Sequence, residues 1–194
     1  MGTDINLYAE KKVGDKWVLA TGMEKNKWYD PNNPLKSEFS PIKIEVGRNY
    51  DLFALLAGVR NYSDVESISE PRGLPNDVCQ EISSEFKIYE DASFSPSWLL
   101  VSELEQFDWE KVIQKEGMVD KRVANLFAGN PMGFPVDKWP KDIHCSYARW
   151  DRDGVSVRWR EKVSDISSWH LLKDKVDNLC NNLTIRLVFW FDMY

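Results

Sequence analysis

Apolar and polar positions alternate along residues 4–9 (Asp-Ile-Asn-Leu-Tyr-Ala). After the turn-forming run Lys12-Val13-Gly14-Asp15-Lys16, a second apolar stretch follows at Trp17–Ala20. This spacing predicts a two-stranded hairpin at the start of the chain. Ile42-Lys43-Ile44-Glu45-Val46 alternates in the same way and predicts a half-buried strand. From Arg48 to Gly58 the pattern changes: Asn49 is placed to cap a helix, Asp51 falls in its positive first turn, and Gly58 suits a left-handed terminus. Leu52, Phe53, Leu55 and Leu56 cover most of the circumference of that helix, so it is expected to be buried. Asp77 with Gln80 fits a capping box and predicts a helix over 78–88. Ser102 with Glu105 opens another, carrying Leu104 and Phe107, after an extended piece at Trp98–Val101.

The last third carries the clearest pattern. Val155, Val157, Trp159 and Val163 fall on one side of an alternating stretch and Ser156, Arg158, Arg160 and Lys162 on the other, with Glu161 interrupting the apolar side. An antiparallel strand with a basic outer face follows. Ile166, Trp169, Leu172, Val176 and Leu179 recur at three and four, which predicts an amphipathic helix over 165–180 packed on a sheet. Thr184–Phe191 is β-branched, aromatic and almost continuously apolar, as expected of a central strand covered on both faces. Proline and asparagine make 26–41 a surface excursion, while Ile68–Pro75, Ser93–Ser97 and Gly129–Pro140 read as loops. Together these elements predict an α+β fold: a mostly antiparallel sheet with several helices packed against it, in a single domain over 1–194 with one core.

Composition narrows the function classes. The 194 residues carry 25 basic and 31 acidic side chains, a net charge of -6. That balance argues against a protein built to grip nucleic acid, which normally shows a basic excess. The apolar run Leu187–Phe191 falls far short of a membrane helix, and the opening residues lack the charged-then-apolar pattern of a signal, so a cytoplasmic protein is expected. Cys79, Cys145 and Cys180 have neither disulfide nor zinc spacing and read as reduced, buried thiols. The sequons at Asn61 and Asn182 carry no weight without a secretory signal. No glycine-rich phosphate loop of the ATP or NAD kind occurs, and no cofactor is expected.

Arg60-Asn61 and Glu70-Pro71-Arg72-Gly73 flank the buried helix and are placed to converge on a phosphate or carboxylate; the alternative for the same residues is an internal arginine–glutamate ion pair that pins the loop. The Arg158, Arg160, Lys162 face reads first as a solvated strand face and second as a cradle for an anionic partner. His144 and Cys145, adjacent on an extended chain, point apart and do not make a catalytic dyad. His170 falls on the polar face of its helix. Asp4, Asp51, Glu70, Asp77, Asp108 and Asp192 supply carboxylates for hydrolysis without a spacing that fixes a pair.

Several phrases stand together: Met-Gly-Thr-Asp-Ile at residues 1–5, Arg48-Asn49-Tyr50-Asp51-Leu52-Phe53, Val59-Arg60-Asn61, Ile68–Pro75, Ser97-Trp98-Leu99 before Glu103-Leu104, and Val188-Phe189-Trp190-Phe191-Asp192. In combination they resemble an uncharacterised family of small proteins from tailed bacteriophages and prophages. The resemblance implies a phage accessory protein acting in a bacterial cytoplasm, and no particular reaction. Relatives often carry histidine where this chain has Asn6, and Gly-His-Ser-His-Ser-Trp where it has Ser93–Trp98, so three potential imidazoles are absent. If those imidazoles bind metal or move protons in relatives, this chain lacks them. If they only hydrogen-bond a ligand, Asn6, Ser95 and Ser97 keep neutral donors and acceptors there. The expectation is a non-enzymatic protein that sequesters a small anionic ligand, a host nucleotide immune signal being the class named, through Asn6, Arg48, Arg60, Asn61, Glu70, Arg72, Ser95, Ser97 and Trp98. The alternatives are a protein-protein inhibitor of a host defence factor and a carboxylate-dependent hydrolase of a nucleotide or related metabolite.

Overall fold

The alternation at residues 4–9 marks only the middle of a longer strand, β1 (Thr3–Val13), which turns through Gly14 at φ +58° into β2 (Lys16–Leu19). Glycine meets that positive φ without steric cost. The remaining elements are β3 (Met23–Lys25), β4 (Phe39–Pro41), α1 (Tyr50–Ala57), α2 (Gln80–Tyr89), β5 (Ser93–Leu100), α3 (Val101–Gln106), β6 (Val112–Val119), β7 (Val155–Lys162), α4 (Ser167–Asp177) and β8 (Ile185–Met193). This computed structural model describes residues 2–34, 36–179 and 184–193. The fold is α+β: a four-stranded antiparallel sheet ordered β2-β1-β8-β5, with two separate antiparallel pairs, β3-β4 and β6-β7.

β8 is the central strand that its apolar run implies, buried from Ile185 to Asp192. Its odd-numbered side chains, with Leu7, Ala9 and Leu99, pack against α1 and α4. Val188 and Trp190, with Tyr8 and Trp98, pack against Ile82 and Phe86 of α2. Asn49 caps α1 by accepting the Leu52 N–H, and Gly58 ends it at φ +68°. The buried apolar residues form one cluster on each face of this sheet and a third under β6-β7 around Val119, Val123, Phe127 and Trp159, instead of one continuous core.

Five local expectations are corrected. Ile42–Val46 joins no ladder, and of its apolar side chains Ile44 and Val46 are buried while Ile42 is exposed; β2 already occupies that edge of β1 farther along, and Ile44 N–H reaches the Leu7 carbonyl at 2.8 Å. Ser93–Ser97 is not a loop but the first part of β5, whose register breaks between Phe94 and Ser97. Pro96 has no N–H for a ladder, and an edge-strand bulge with Ser95 at φ +47° accommodates it. Asp77 does not cap α2; Cys79 occupies that position and the Asp77 carboxylate accepts from Arg186. Glu103, not Ser102, forms the polar contact at the start of α3, accepting the Leu100 N–H at 2.9 Å. Val155 lies exposed although it shares a side with buried Val157 and Trp159. The interrupting Glu161 has a structural role, accepting the indole N–H of fully buried Trp159 at 2.6 Å.

The cysteines also differ from expectation. Cys79 is buried, with its thiol pushed up to about 12 chiefly by desolvation, whereas Cys145 is exposed on a loop. Cys180, Asn182 and the last residue expected in α4 lie outside the described residues. Among the described residues no helix is long and apolar enough to cross a membrane.

The sheet buries one full ion pair. Arg186 donates to Glu10, at 2.8 Å through Nε, and to Asp77 at 2.7 Å; its guanidinium lies 4.2 Å from the Trp17 ring centre, and Glu10 also accepts the Cys79 N–H. Arg186→Met strands the Glu10 carboxylate in the core and is expected to lower the unfolding free energy by about 3–5 kcal/mol in urea denaturation. Asp77→Asn, at the exposed end of the same network, is expected to change it by about 1 kcal/mol or less.

Candidate functional site

The residues singled out from the sequence fall into three separate places. Around β5, Arg72 forks onto Glu103 at 2.9 and 2.6 Å, lies 4.8 Å from the Trp98 ring centre, and donates its backbone N–H to the buried Ser97 hydroxyl at 3.1 Å. The loop-pinning ion pair therefore exists, but with Glu103; Glu70 is exposed. Asn61 closes a local turn, its amide donating to the Val65 carbonyl and accepting the Val65 N–H at 2.7 and 2.8 Å. Arg72, Asn61, Ser97 and Trp98 are thus committed to holding the protein together, and Ser95 sits in the strand bulge. Asn6 lies elsewhere, on the α2 face of the sheet with Asp192.

Arg48 and Arg60 bond neighbouring residues of β1, Asp4 and Thr3. Arg48 forks onto Asp4 at 2.6 and 2.7 Å. Arg60, held at φ +54°, donates to the Thr3 hydroxyl at 2.9 Å and to the Tyr62 hydroxyl at 3.4 Å. Tyr50 accepts the Thr3 N–H and meets Tyr62 edge to face, ring centres 6.0 Å apart. Of these, Arg48, Tyr50 and Tyr62 line one wall of a cleft of about 840 Å³, the other wall being β6, β7 and the loop through Tyr147 and Arg149, while Arg60 stands behind Tyr62 and outside the lining. That volume lies within the range of small-molecule sites.

Residues with no sequence signal complete it. Lys115 points inward from β6, 5% exposed, and pairs with Asp51, which also accepts from the Ser63 hydroxyl. Tyr147 packs over Gly117, where a Cβ would come within 2.7 Å of its ring, and edge-on to Trp159. Any larger residue at 117 would displace that ring. Arg149 lies 3.6 Å from the Tyr62 ring centre. The hydrogen bond from Arg60, with a second from Arg149, holds the Tyr62 phenol below its ordinary ionisation range, while burial raises that of Tyr147. The cleft thus offers fixed positive charge beside flat, electron-rich rings, which suits an anion carrying a planar group.

The basic strand face reads differently in three dimensions: Arg158 pairs with Glu116 and Lys162 with Glu110, and Arg160 donates to the Asn130 carbonyl. Among the described residues no cluster of His, Cys, Asp and Glu is arranged to hold a metal ion. Compared with protein-family models, curated proteins and solved structures, the chain has no match. Its class rests on its own geometry: an α+β protein with a cationic, tyrosine-lined cleft.

The Arg72 fork holds the Glu103 carboxyl below its usual value, so its contribution is complete above the ordinary glutamate range and is lost as pH falls through the lowered native value. Arg72→Ala is therefore expected to lower stability by about 1 kcal/mol at neutral pH. The difference from the unsubstituted protein should shrink in acid to what the Trp98 contact contributes, as urea denaturation at the two pH values would record.

Proposed function

We propose that this protein captures a nucleotide-class anion in the cleft between α1 and β6-β7 and holds it without converting it. The observation that carries the reading is Arg149: its guanidinium lies on the Tyr62 ring and has no carboxylate partner among the described residues. A phosphate would supply the missing anion, and a base has Tyr50, Tyr62 and Tyr147 to stack on. Capture fits better than turnover because both carboxylates in the cleft lining are already engaged, Asp51 by Lys115 and Ser63 and Glu116 by Arg158. The resemblance to tailed-phage proteins supplies the setting: the bacterial cytoplasm, with a host nucleotide immune signal as the captured class.

The test is native mass spectrometry of protein purified from bacterial cells, heat release of any adduct, and calorimetric titration with mononucleotides and cyclic dinucleotides. A nucleotide-sized adduct released intact is expected. Tyr62→Ala and Arg149→Ala are each expected to weaken nucleotide binding about tenfold or more, since stacking on one ring contributes roughly 1–3 kcal/mol. Arg72→Ala should leave affinity unchanged. A bare mass with no nucleotide bound in titration overturns the proposal, and a chemically altered product replaces capture with catalysis.

A further inference from the structure

Besides its tyrosines, the cleft between α1 and β6-β7 is lined by five side chains that are charged at neutral pH: Arg48, Asp51, Lys115, Glu116 and Arg149. Four of them meet an opposite charge directly. Arg48 forks onto Asp4, Lys115 pairs with Asp51, and Glu116 takes Arg158 at 2.7 Å. Arg149 makes no ion pair among the described residues, and its guanidinium rests on the Tyr62 ring. Arg60 stands behind Tyr62 and gives its donors to the Thr3 and Tyr62 hydroxyls.

The surplus in the lining is one positive charge, three cations against two carboxylates, and Asp4 and Arg158 behind them cancel each other. That balance limits how much negative charge a ligand can bring. A phosphodiester carries a single charge, which Arg149 answers. A terminal phosphate carries about two near neutral pH, and each further phosphate of a chain adds about one more. The added charge meets Asp51 and Glu116 in the same lining, and like charges brought together across a contact oppose binding. Lys115, 5% exposed, cannot turn to it without leaving the Asp51 carboxylate unpaired. A cleft of about 840 Å³ has room for a phosphate chain, so charge and not size makes the selection.

Given the reading of the cleft as a nucleotide site, on which this rests, we propose that the nucleotide it takes is a phosphodiester. The singly charged phosphate lies on Arg149, and nucleoside di- and triphosphates are rejected by the carboxylates already in the cleft. Glu116 is the residue that separates charge from shape. Its side chain is 54% exposed, and glutamine in its place keeps the shape, removes the negative charge and frees Arg158.

Binding would be measured calorimetrically for cyclic GMP, GMP, GDP and GTP and for the corresponding adenine series, with EDTA present so that no divalent cation masks the phosphates. The cyclic diester is expected to bind about tenfold or more tighter than the triphosphate of the same base, with the mono- and diphosphates between them. The gap should narrow as salt is raised. Glu116→Gln should narrow it about threefold or more, with circular dichroism confirming folding; should that variant unfold, the salt series decides. Affinity that is level along the series or rises with phosphate number, or a gap that neither salt nor Glu116→Gln changes, overturns the proposal and leaves the nucleotide site standing. Failure of every nucleotide to bind overturns the reading of the cleft itself, and the proposal with it.

Discussion

The β1-β8 ladder is the constraint on which the remaining structure depends. It registers Thr3 with Met193 and runs through to Lys11 with Ile185, so the first and last strands of the chain form the centre of the sheet. Loop-closure entropy opposes a pairing between residues so distant in sequence until other contacts repay it. Here the repayment comes from both faces. Leu7, Leu187 and Phe189 are fully buried against α1 and α4, and Tyr8, Val188 and Trp190 are fully buried on the α2 side. Every site discussed above is placed by this ladder, because Thr3, Asp4 and Asn6 lie on β1 and Asp192 on β8.

The α2 face of the same ladder is apolar in the middle and charged at its ends. Glu10 and Arg186 stand opposite each other at one end. Asn6, Asp192 and Ser93 gather at the other. The two ends solve the burial of polar groups differently. Arg186 is fully answered, by two carboxylates and an aromatic ring, which leaves that end as scaffold. The Asn6 end opens into a cavity lined also by Lys43 and Glu85.

The cleft arises from the division of the core. α1 belongs to the cluster on one face of the sheet, whereas β6 and β7 cover a cluster of their own around Trp159, and the two groups of elements meet across the Lys115–Asp51 pair. Ile113 of β6 also packs in the α1 cluster, so the two clusters adjoin, and the trough runs where the polar Lys115–Asp51 pair stands between them. Arg48, Tyr50 and Tyr62 approach it from one side and Gly117, Tyr147 and Arg149 from the other. Gly117 has a specific part in this, since the absent side chain is what lets Tyr147 lie flat enough to reach Trp159.

Periodicity alone determined the α+β class, the opening hairpin, the buried α1 with its Asn49 and Gly58 ends, the amphipathic α4 and the central β8, because each of these is a local pattern repeated over enough residues to outweigh chance. β6 escaped that reading for a physical reason: its inward positions include Lys115 and Gly117, which break the apolar alternation that marks a strand. The bulged start of β5 escaped because Pro96 reads as a breaker unless the strand is known to lie at an edge. Residue partnerships were beyond local pattern altogether. That Arg72 takes Glu103 and leaves Glu70 exposed, that Asp77 turns to Arg186, and that Tyr62 meets Arg149 are outcomes of which strands become neighbours. Side-chain chemistry told which residues can hold an anion, and only the long-range pairing of β1 with β8, and of β6 with β7, decided which of them share a site.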